Sequence, residues 1–411
     1  RRMNIVLEPG AAALLDELHR AGFGAYAVGG CVRDSLLGLA PHDWDLCTAA
    51  RPGQVMELFG EDRCIPTGLQ HGTVTVKRDG KLYEITTFRT EGRYSDGRHP
   101  DSVAFVPDLR EDLARRDFTI NAMAYSAEEG LCDPFGGRED LARGVVRAVG
   151  EPLRRFGEDA LRILRLYRFA ARFGFAIDEA TEAAAKQLAS HLDCVSAERI
   201  EEELNKLLAA PQPGAYLEPE VLAFVLPELP PEELTKARRR IDALPAGTEQ
   251  VSARWAALLL PLGETGARKA LKRLKCSNAR IDGVTALVRE CGEKTPDALD
   301  KCDLCLQAKR LLGKYDLHTV RQLTALWTSL APEEKALFDA LRAEAEALTA
   351  QGVCCRISQL AVNGRDLMAA GAAPGPGLRR VLEALLEEVV TGRLPNEKTE
   401  LLAFAAGFSA S

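Results

Sequence analysis

The sequence predicts an α+β fold: a head over residues 1–150 that mixes strands and helices, followed by an extended, all-helical remainder. Two observations carry this prediction. Up to about residue 150, short runs rich in β-branched and aromatic residues alternate with helical segments. After Pro152 the apolar period is helical almost throughout, with nearly no strand signal. No low-complexity linker and no internal repeat interrupts the chain, which argues against beads on a string.

The chain has 411 residues, too many for one ordinary core, so two to four domains are expected. It is 46% hydrophobic and 27% charged, a globular composition. No apolar run approaches about 18 residues, so no membrane span is expected. The start, "RRMNIVLEPG", is too short and polar for a secretory signal, and Met3 is the expected first residue. Eleven cysteines, odd in number and without framework spacing, read as reduced thiols in a cytoplasm. Cys302-x-x-Cys305 with Cys354-Cys355 is a poor zinc pattern in a helical context. The net charge of −7 argues mildly against nucleic acid, yet residues 231–290 hold 12 Lys and Arg against 7 Asp and Glu. A basic patch on an acidic protein can hold a phosphate backbone; a solvated helix face fits the same composition.

Strands are expected at Ala25–Val28, Asp43–Cys47, Thr73–Arg78, Lys81–Phe88, Ala104–Val106 and Val145–Ala148. Asp79-Gly80 marks a hairpin turn within residues 73–88. "EDALRILRLYRFAARFG" (158–174) reads as one amphipathic helix starting near Arg155. "SAERIEEELNKLLAA" (196–210) reads as another, with Ser196 as N-cap. Arg199 stands where a capping box would need Glu or Gln. "PQPG" at 211–214 stops that helix.

Within "YAVGGCVRDSLLGLAPHDWDLCT" (26–48), Gly29-Gly30 lies between a strand and a helix expected at Cys31–Leu37. Such glycines let a ligand approach the backbone, and Arg33 on the first turn could reach a phosphate. Taken alone, Gly-Gly is more simply explained by a tight turn. Asp43 and Asp45, two apart on a strand, would face one side and suit a pair of Mg²⁺ ions. Glu84 in "KLYEITTFR" offers a third acid on a neighbouring strand. In two-metal chemistry one ion activates an attacking hydroxyl and the other stabilises leaving pyrophosphate.

These stretches resemble the polymerase-β-like nucleotidyltransferases. Together with "TGLQHGTVTV", "YEITTFRTEGRYSDGRHPDSVAFV", "RRDFTINAMAY", "DPFGGREDL" and "RFGEDALRILRLYRFAARFGF", they are similar to the class II CCA-adding enzymes and their bacterial poly(A) polymerase relatives. The resemblance runs in order from residue 28 to 175 and, through "ERIEEEL", to about 208. It implies a head with a mixed sheet (1–150), then an elongated all-α neck (151–210), body (211–330) and tail (331–411). It also implies template-independent addition of C, C and A to tRNA from CTP and ATP.

On this resemblance, Asp43 and Asp45 hold two Mg²⁺ ions with Glu84 assisting. Gly29, Gly30, Arg33, Arg116, Asp117 and Asn121 meet the nucleotide, with Asp117 on the ribose 2′-OH or capping the next helix. Asp159 and Arg162, three apart on one helix face, read the base, Glu158 steadies Arg162, and Arg165 and Arg168 lie near the nucleotide. Asp accepts from an exocyclic amine and Arg donates to the ring acceptor beside it, so C and A pass while U and G are refused. The polar loop 92–103 resembles the family's flexible loop for adding the terminal A. Body and tail would hold the tRNA acceptor and T-stem region, with Arg238, Arg239, Arg240, Lys269, Lys272 and Arg273 as contacts. A poly(A) polymerase, an A-adding enzyme and a non-catalytic RNA- or nucleotide-binding protein are the alternatives. The sequence is silent on oligomeric state.

Overall fold

The computed structural model describes residues 5–91, 102–293 and 303–408. The chain forms two compact units, Arg1–Pro231 and Glu232–Ser411. In the first, α1 (Pro9–Arg20) leads into β1 (Ala25–Val28), α2 (Gly30–Leu36), β2 (Leu46–Thr48) and α3 (Pro52–Phe59). Then come β3 (Cys64–Gly68), β4 (Thr73–Arg78), β5 (Lys81–Thr87), β6 (Arg89–Glu91), β7 (Val103–Phe105) and α4 (Leu109–Ala114). β8 (Ala124–Ser126), β9 (Gly130–Cys132), α5 (Gly137–Arg143) and β10 (Val145–Val146) complete the head.

Seven strands form one sheet in the order β3-β4-β5-β2-β1-β8-β9. β2 and β5 run parallel, and the other neighbours are antiparallel, so the sheet is mixed. The predicted hairpin is present: Arg78 pairs with Lys81, and Asp79 and Gly80 have φ of 49° and 76°. Positive φ at both turn residues matches the twist of the flanking strands. One side of the sheet packs a core that includes Tyr26, Val28, Cys47, Phe88 and Leu113.

The structure corrects the expected elements in three places. β2 begins at Leu46 rather than Asp43, so Asp43 and Asp45 precede the strand, although Asp45 O still accepts from Val28 N at 3.0 Å. The strands β3, β6, β8, β9 and β11 (Ala176–Ile177) were not foreseen; most are three residues or shorter, too brief for a period to register. The expected single helix after Pro152 is two, α6 (Pro152–Glu158) and α7 (Leu161–Phe173). Asp159 is extended (φ −146°, ψ 104°), and its own carboxylate accepts from Leu161 N at 3.1 Å. Asp competes with the helix for backbone donors in this way, and here the competition breaks the helix. α8 (Glu179–Gln187), α9 (Ala197–Leu208) and α10 (Pro219–Val225) finish the unit. Ser196 occupies the N-cap of α9 but makes no side-chain capping bond.

The second unit is helical: α11 (Leu234–Asp242), α12 (Val251–Leu259), α13 (Gly263–Arg273), α14 (Asn278–Glu293), α15 (Leu304–Lys314), α16 (Leu317–Leu330) and α17 (Lys335–Ala350). α18 (Gly364–Ala369), α19 (Pro376–Val390) and α20 (Lys398–Phe408) share a separate apolar cluster around Val362, Leu367, Leu385 and Leu401. Among the described residues no helix is long and apolar enough to cross a membrane. Cys302 and most of the 92–103 loop lie outside the described residues.

Candidate active site

Within the first unit a cavity of about 920 Å³ is lined by ten Arg and Lys against five Asp and Glu. That balance suits a polyanion such as a triphosphate. One wall is acidic. Leu46 pairs in parallel with Ile85, so Asp45 and Glu84, each one residue earlier, lie side by side. Leu46 and Ile85 are buried, which turns their predecessors to the opposite, cavity face of the sheet. Asp43, Asp45 and Glu84 all line the cavity. Asp45 is exposed to the open cavity, but partial desolvation by the surrounding wall and the neighbouring charges of Glu84 and Asp43 push its carboxyl above the usual range, against the opposing pull of Arg116.

Within the described residues no hydrogen bond or ion pair engages these three carboxylates. Acids crowded together without a bonded protein cation fit an external one. Among the described residues no three His, Cys, Asp or Glu side chains gather around one point. An open acidic wall of this kind suits Mg²⁺, which binds through one or two carboxylates and takes its other ligands from water and substrate phosphates.

Gly29 (φ 76°, ψ −123°) is the N-cap of α2, in backbone space that side chains avoid. A Cβ there would stand 3.1 Å from Arg116 Nη1. Gly29→Ala is therefore expected to destabilise the protein by about 1–3 kcal/mol and to raise KM for nucleotide by displacing Arg116. Thermal melting and steady-state kinetics check both; an unchanged KM would detach Gly29 from the nucleotide.

Below the glycines lies a network of guanidinium groups. Arg33 is buried, 5.2 and 5.0 Å from the Phe169 and Phe173 ring centres. Its Nε donates to Asp34 at 2.8 Å and its Nη1 to Asn121 Oδ1 at 2.5 Å. Asn121 Nδ2 donates in turn to Asp117 Oδ1 at 3.1 Å. Asp117 also caps locally, accepting from Phe118 N at 2.7 Å, and binds Arg165 Nε at 2.8 Å through Oδ2. Arg165 and Arg168 cover Phe169 at 5.3 and 4.0 Å, and Glu203 on α9 pairs with Arg168 at 2.6 Å.

Burial alone would raise the Asp117 carboxyl. The Arg165 charge and the Asn121 amide outweigh burial and hold it at about 2. A folded pKa below the ordinary 3.8 contributes stability above that pH and loses it as pH falls toward 2, on the order of 2 kcal/mol in all. Asp117→Asn should therefore unfold more easily than the parent at pH 6, with the gap closing on acidification. Chemical denaturation at several pH values tests this, and a pH-independent gap would contradict it.

The residues expected to read the base straddle the α6–α7 break. Arg162 is buried and donates from Nη1 to Glu158 Oε2 and Arg155 O, and from Nη2 to Arg115 O, each at 3.0 Å. Glu158 thus steadies Arg162 as its spacing suggested, although it does not itself line the cavity. Asp159 and Arg162 both line it, but on two elements rather than one helix face. The Asp159 carboxylate is held by Arg199 of α9, with Nη2 to Oδ2 at 2.8 Å and Nη1 to Oδ1 at 3.3 Å.

Arg199, Lys206, Arg172, Arg89 and Arg115 line the cavity and were not singled out in the sequence. Arg172 continues the row of Arg165 and Arg168 along α7. Arg199 was visible only as the residue that spoils a capping box. The basic residues proposed for RNA lie in the second unit. Arg239, Lys269, Lys272 and Arg273 are exposed, while Arg238 and Arg240 are half-buried. Arg240 Nε donates to Lys236 O at 3.3 Å.

Comparison with known proteins identifies the family. Residues 25–147 match the poly A polymerase head domain, and 174–230 match a probable RNA- and SrmB-binding site of polymerase A. Residues 247–405 match a putative tRNA nucleotidyltransferase domain 2. The chain is 39% identical to the CCA-adding enzymes of Limosilactobacillus fermentum, over 96% of each chain, and of Latilactobacillus sakei, over 96% of this chain and 97% of the relative. The crystal structure of the Bacillus stearothermophilus CCA-adding enzyme in complex with CTP superposes with a TM-score of 0.80 at 33% identity, covering 98% of both chains. Identity at this level over nearly the whole length makes the chain a member of the CCA-adding enzyme family, the tRNA nucleotidyltransferases.

Proposed function

We propose that this chain adds C, C and A in turn to the 3′ end of tRNA, from CTP and ATP, with release of pyrophosphate. The observation that carries the reading is one cavity lined both by an acidic wall without protein partners among the described residues and by Asp159 and Arg162, a protein pair able to read a base without a nucleic-acid template. Asp43 and Asp45, with Glu84 beside them, would hold two Mg²⁺ ions, whose chemistry when bound is to activate the tRNA 3′-hydroxyl and stabilise leaving pyrophosphate. Gly29, Gly30 and Arg116 border the triphosphate, and Asp117 meets the ribose. Arg165 and Arg168, held by Asp117 and Glu203, neutralise phosphate charge without moving.

Base choice follows from the donors and acceptors left over. Three of the five Arg162 N–H groups are taken by protein, which leaves two for ring acceptors such as cytosine N3 or adenine N1. Asp159 accepts the exocyclic amine beside them. Uracil and guanine present a carbonyl there and leave a buried acceptor unpaired.

Further parts of the reading concern the whole chain. Arg239, Lys269, Lys272 and Arg273, with Arg238 and Arg240, are proposed to contact the backbone of the tRNA acceptor and T-stem region. The division into head (1–150), neck (151–210), body (211–330) and tail (331–411) belongs to the same reading; within the tail, α18–α20 share an apolar cluster of their own. A cytoplasmic setting goes with the use of nucleoside triphosphates.

The test incubates the protein with tRNA lacking CCA, CA or only the final A, with CTP, ATP or both. Addition of three residues that then stops supports the reading. A long A tail indicates a poly(A) polymerase, extension of CC-ended tRNA alone indicates an A-adding enzyme, and no incorporation defeats the proposal.

A further inference from the structure

The Asp159 carboxylate is the one acceptor in the base reader, and it lies at a helix break where its backbone is extended. The local chain holds this side chain at one oxygen only, through Leu161 N on Oδ1, which leaves the plane of the carboxylate to be fixed from elsewhere. A carboxylate offers about four lone-pair positions. Leu161 N takes one on Oδ1, Arg199 Nη1 takes the other at 3.3 Å, and Arg199 Nη2 takes one on Oδ2 at 2.8 Å. One position remains, on Oδ2.

Arg199 is itself held by its element. On α9 it is four residues before Glu203, which pairs with Arg168 and Arg165 of α7, and seven before Lys206, another cavity residue. These spacings put all three on the helix face turned to α7 and the cavity. The Arg199 and Asp159 side chains are only 18% and 12% exposed, so the fork of two bonds is shielded from water and geometrically exacting.

We propose that Arg199 is a positioning residue for base choice: it fixes the Asp159 carboxylate so that a single lone pair, on Oδ2, is left for the exocyclic amine of C or A. Without the clamp, the carboxylate turns away from its place beside Arg162, and the nucleobase amine is no longer required. Arg199 acts through Asp159 and does not touch the base. This inference rests on the reading of Asp159 as the base acceptor.

The experiment measures kcat and KM for single additions to tRNA ending in C and in CC, with CTP, ATP, UTP and GTP offered separately. The proteins are the parent, Arg199→Met, Arg199→Lys, Asp159→Ala and the double variant Arg199→Met with Asp159→Ala. Arg199→Met is expected to lower the CTP-to-UTP and ATP-to-GTP ratios of kcat/KM by roughly tenfold, within the range of one base contact. Arg199→Lys should recover part of that loss, because an ammonium restores the charge but not the fork. In the double variant the ratios should equal those of Asp159→Ala alone, since the clamp then has nothing to hold.

If Asp159→Ala loses selectivity while Arg199→Met keeps it, the proposal is overturned and the base-reading assignment survives. Retained selectivity in Asp159→Ala removes the assignment and the proposal with it. An equal loss of kcat/KM for all four nucleotides makes Arg199 a structural prop and also overturns the proposal. Should Arg199→Met fail to fold, Arg199→Lys decides: parental ratios there would refute it.

Discussion

Asp45→Asn is expected to slow nucleotide transfer by about a thousandfold or more, the worth of several kcal/mol of lost charge stabilisation, while the protein melts no lower than the parent. The two effects share a cause. Asp45 lies beside Glu84 and near Asp43, and its carboxyl is pushed up by partial desolvation in the cavity wall and by their charges. An acid whose folded pKa is raised costs nothing where it is protonated in both states. Its cost appears as pH rises and it must ionise in the fold. Removing the charge should therefore raise the melting temperature at pH 8 more than at pH 5. Single-turnover extension of CC-ended tRNA with ATP, alongside melting at both pH values, checks the pair of effects. A rate within tenfold of the parent would exclude Asp45 from the chemistry. A melting temperature that falls would mean that the acidic wall contributes to the fold rather than being tolerated for function.

Arg162→Ala should act in the opposite sense on stability. The substitution deletes three hydrogen bonds, to Glu158, Arg155 O and Arg115 O, at a buried site. Glu158 keeps Arg155 at 3.0 Å and the exposed Arg154 at 3.2 Å, so its charge is not left bare. Two carbonyls lose a donor. The expected cost is about 2–4 kcal/mol, which lowers the melting temperature by about 4–16 °C for a unit of this size. Selectivity should fall with it, by roughly 5- to 150-fold in the ratio of CTP to UTP, the value of one bidentate base contact. Arg162→Lys separates the two losses. A lysine can retain Glu158, but it cannot span that carboxylate, two carbonyls and the base together. Melting curves and the four-nucleotide kinetics are the measurements; parental selectivity in a folded Arg162→Ala protein would remove Arg162 from the reader.

Several features were legible in the chain because they depend on near neighbours. The strand before Gly29-Gly30, the Asp79-Gly80 hairpin and the helical character after Pro152 follow from turn chemistry and apolar period. The Glu158–Arg162 pair follows from a four-residue spacing, and it survives even though the helix breaks between its members. The break itself was not legible. Leu161 to Phe173 carry a strong helical period, and nothing in that period shows that the Asp159 side chain takes the Leu161 N–H for itself.

The sequence alone therefore determined the α+β head, the acidic pair, the glycine turn and the arginine row of α7, since each is encoded within a few residues. Tertiary structure decided how these became a site. Parallel pairing of β2 with β5 set Asp45 beside Glu84, 39 positions on, and strand order is a matter of which apolar faces pack. Packing of Arg33 under Phe169 and Phe173 turned a first-turn arginine into part of the cavity floor. The bond from Arg199 to Asp159 spans 40 residues. Its geometry depends on the contact between α7 and α9, and a period read along one helix cannot say which residue of another helix will face it.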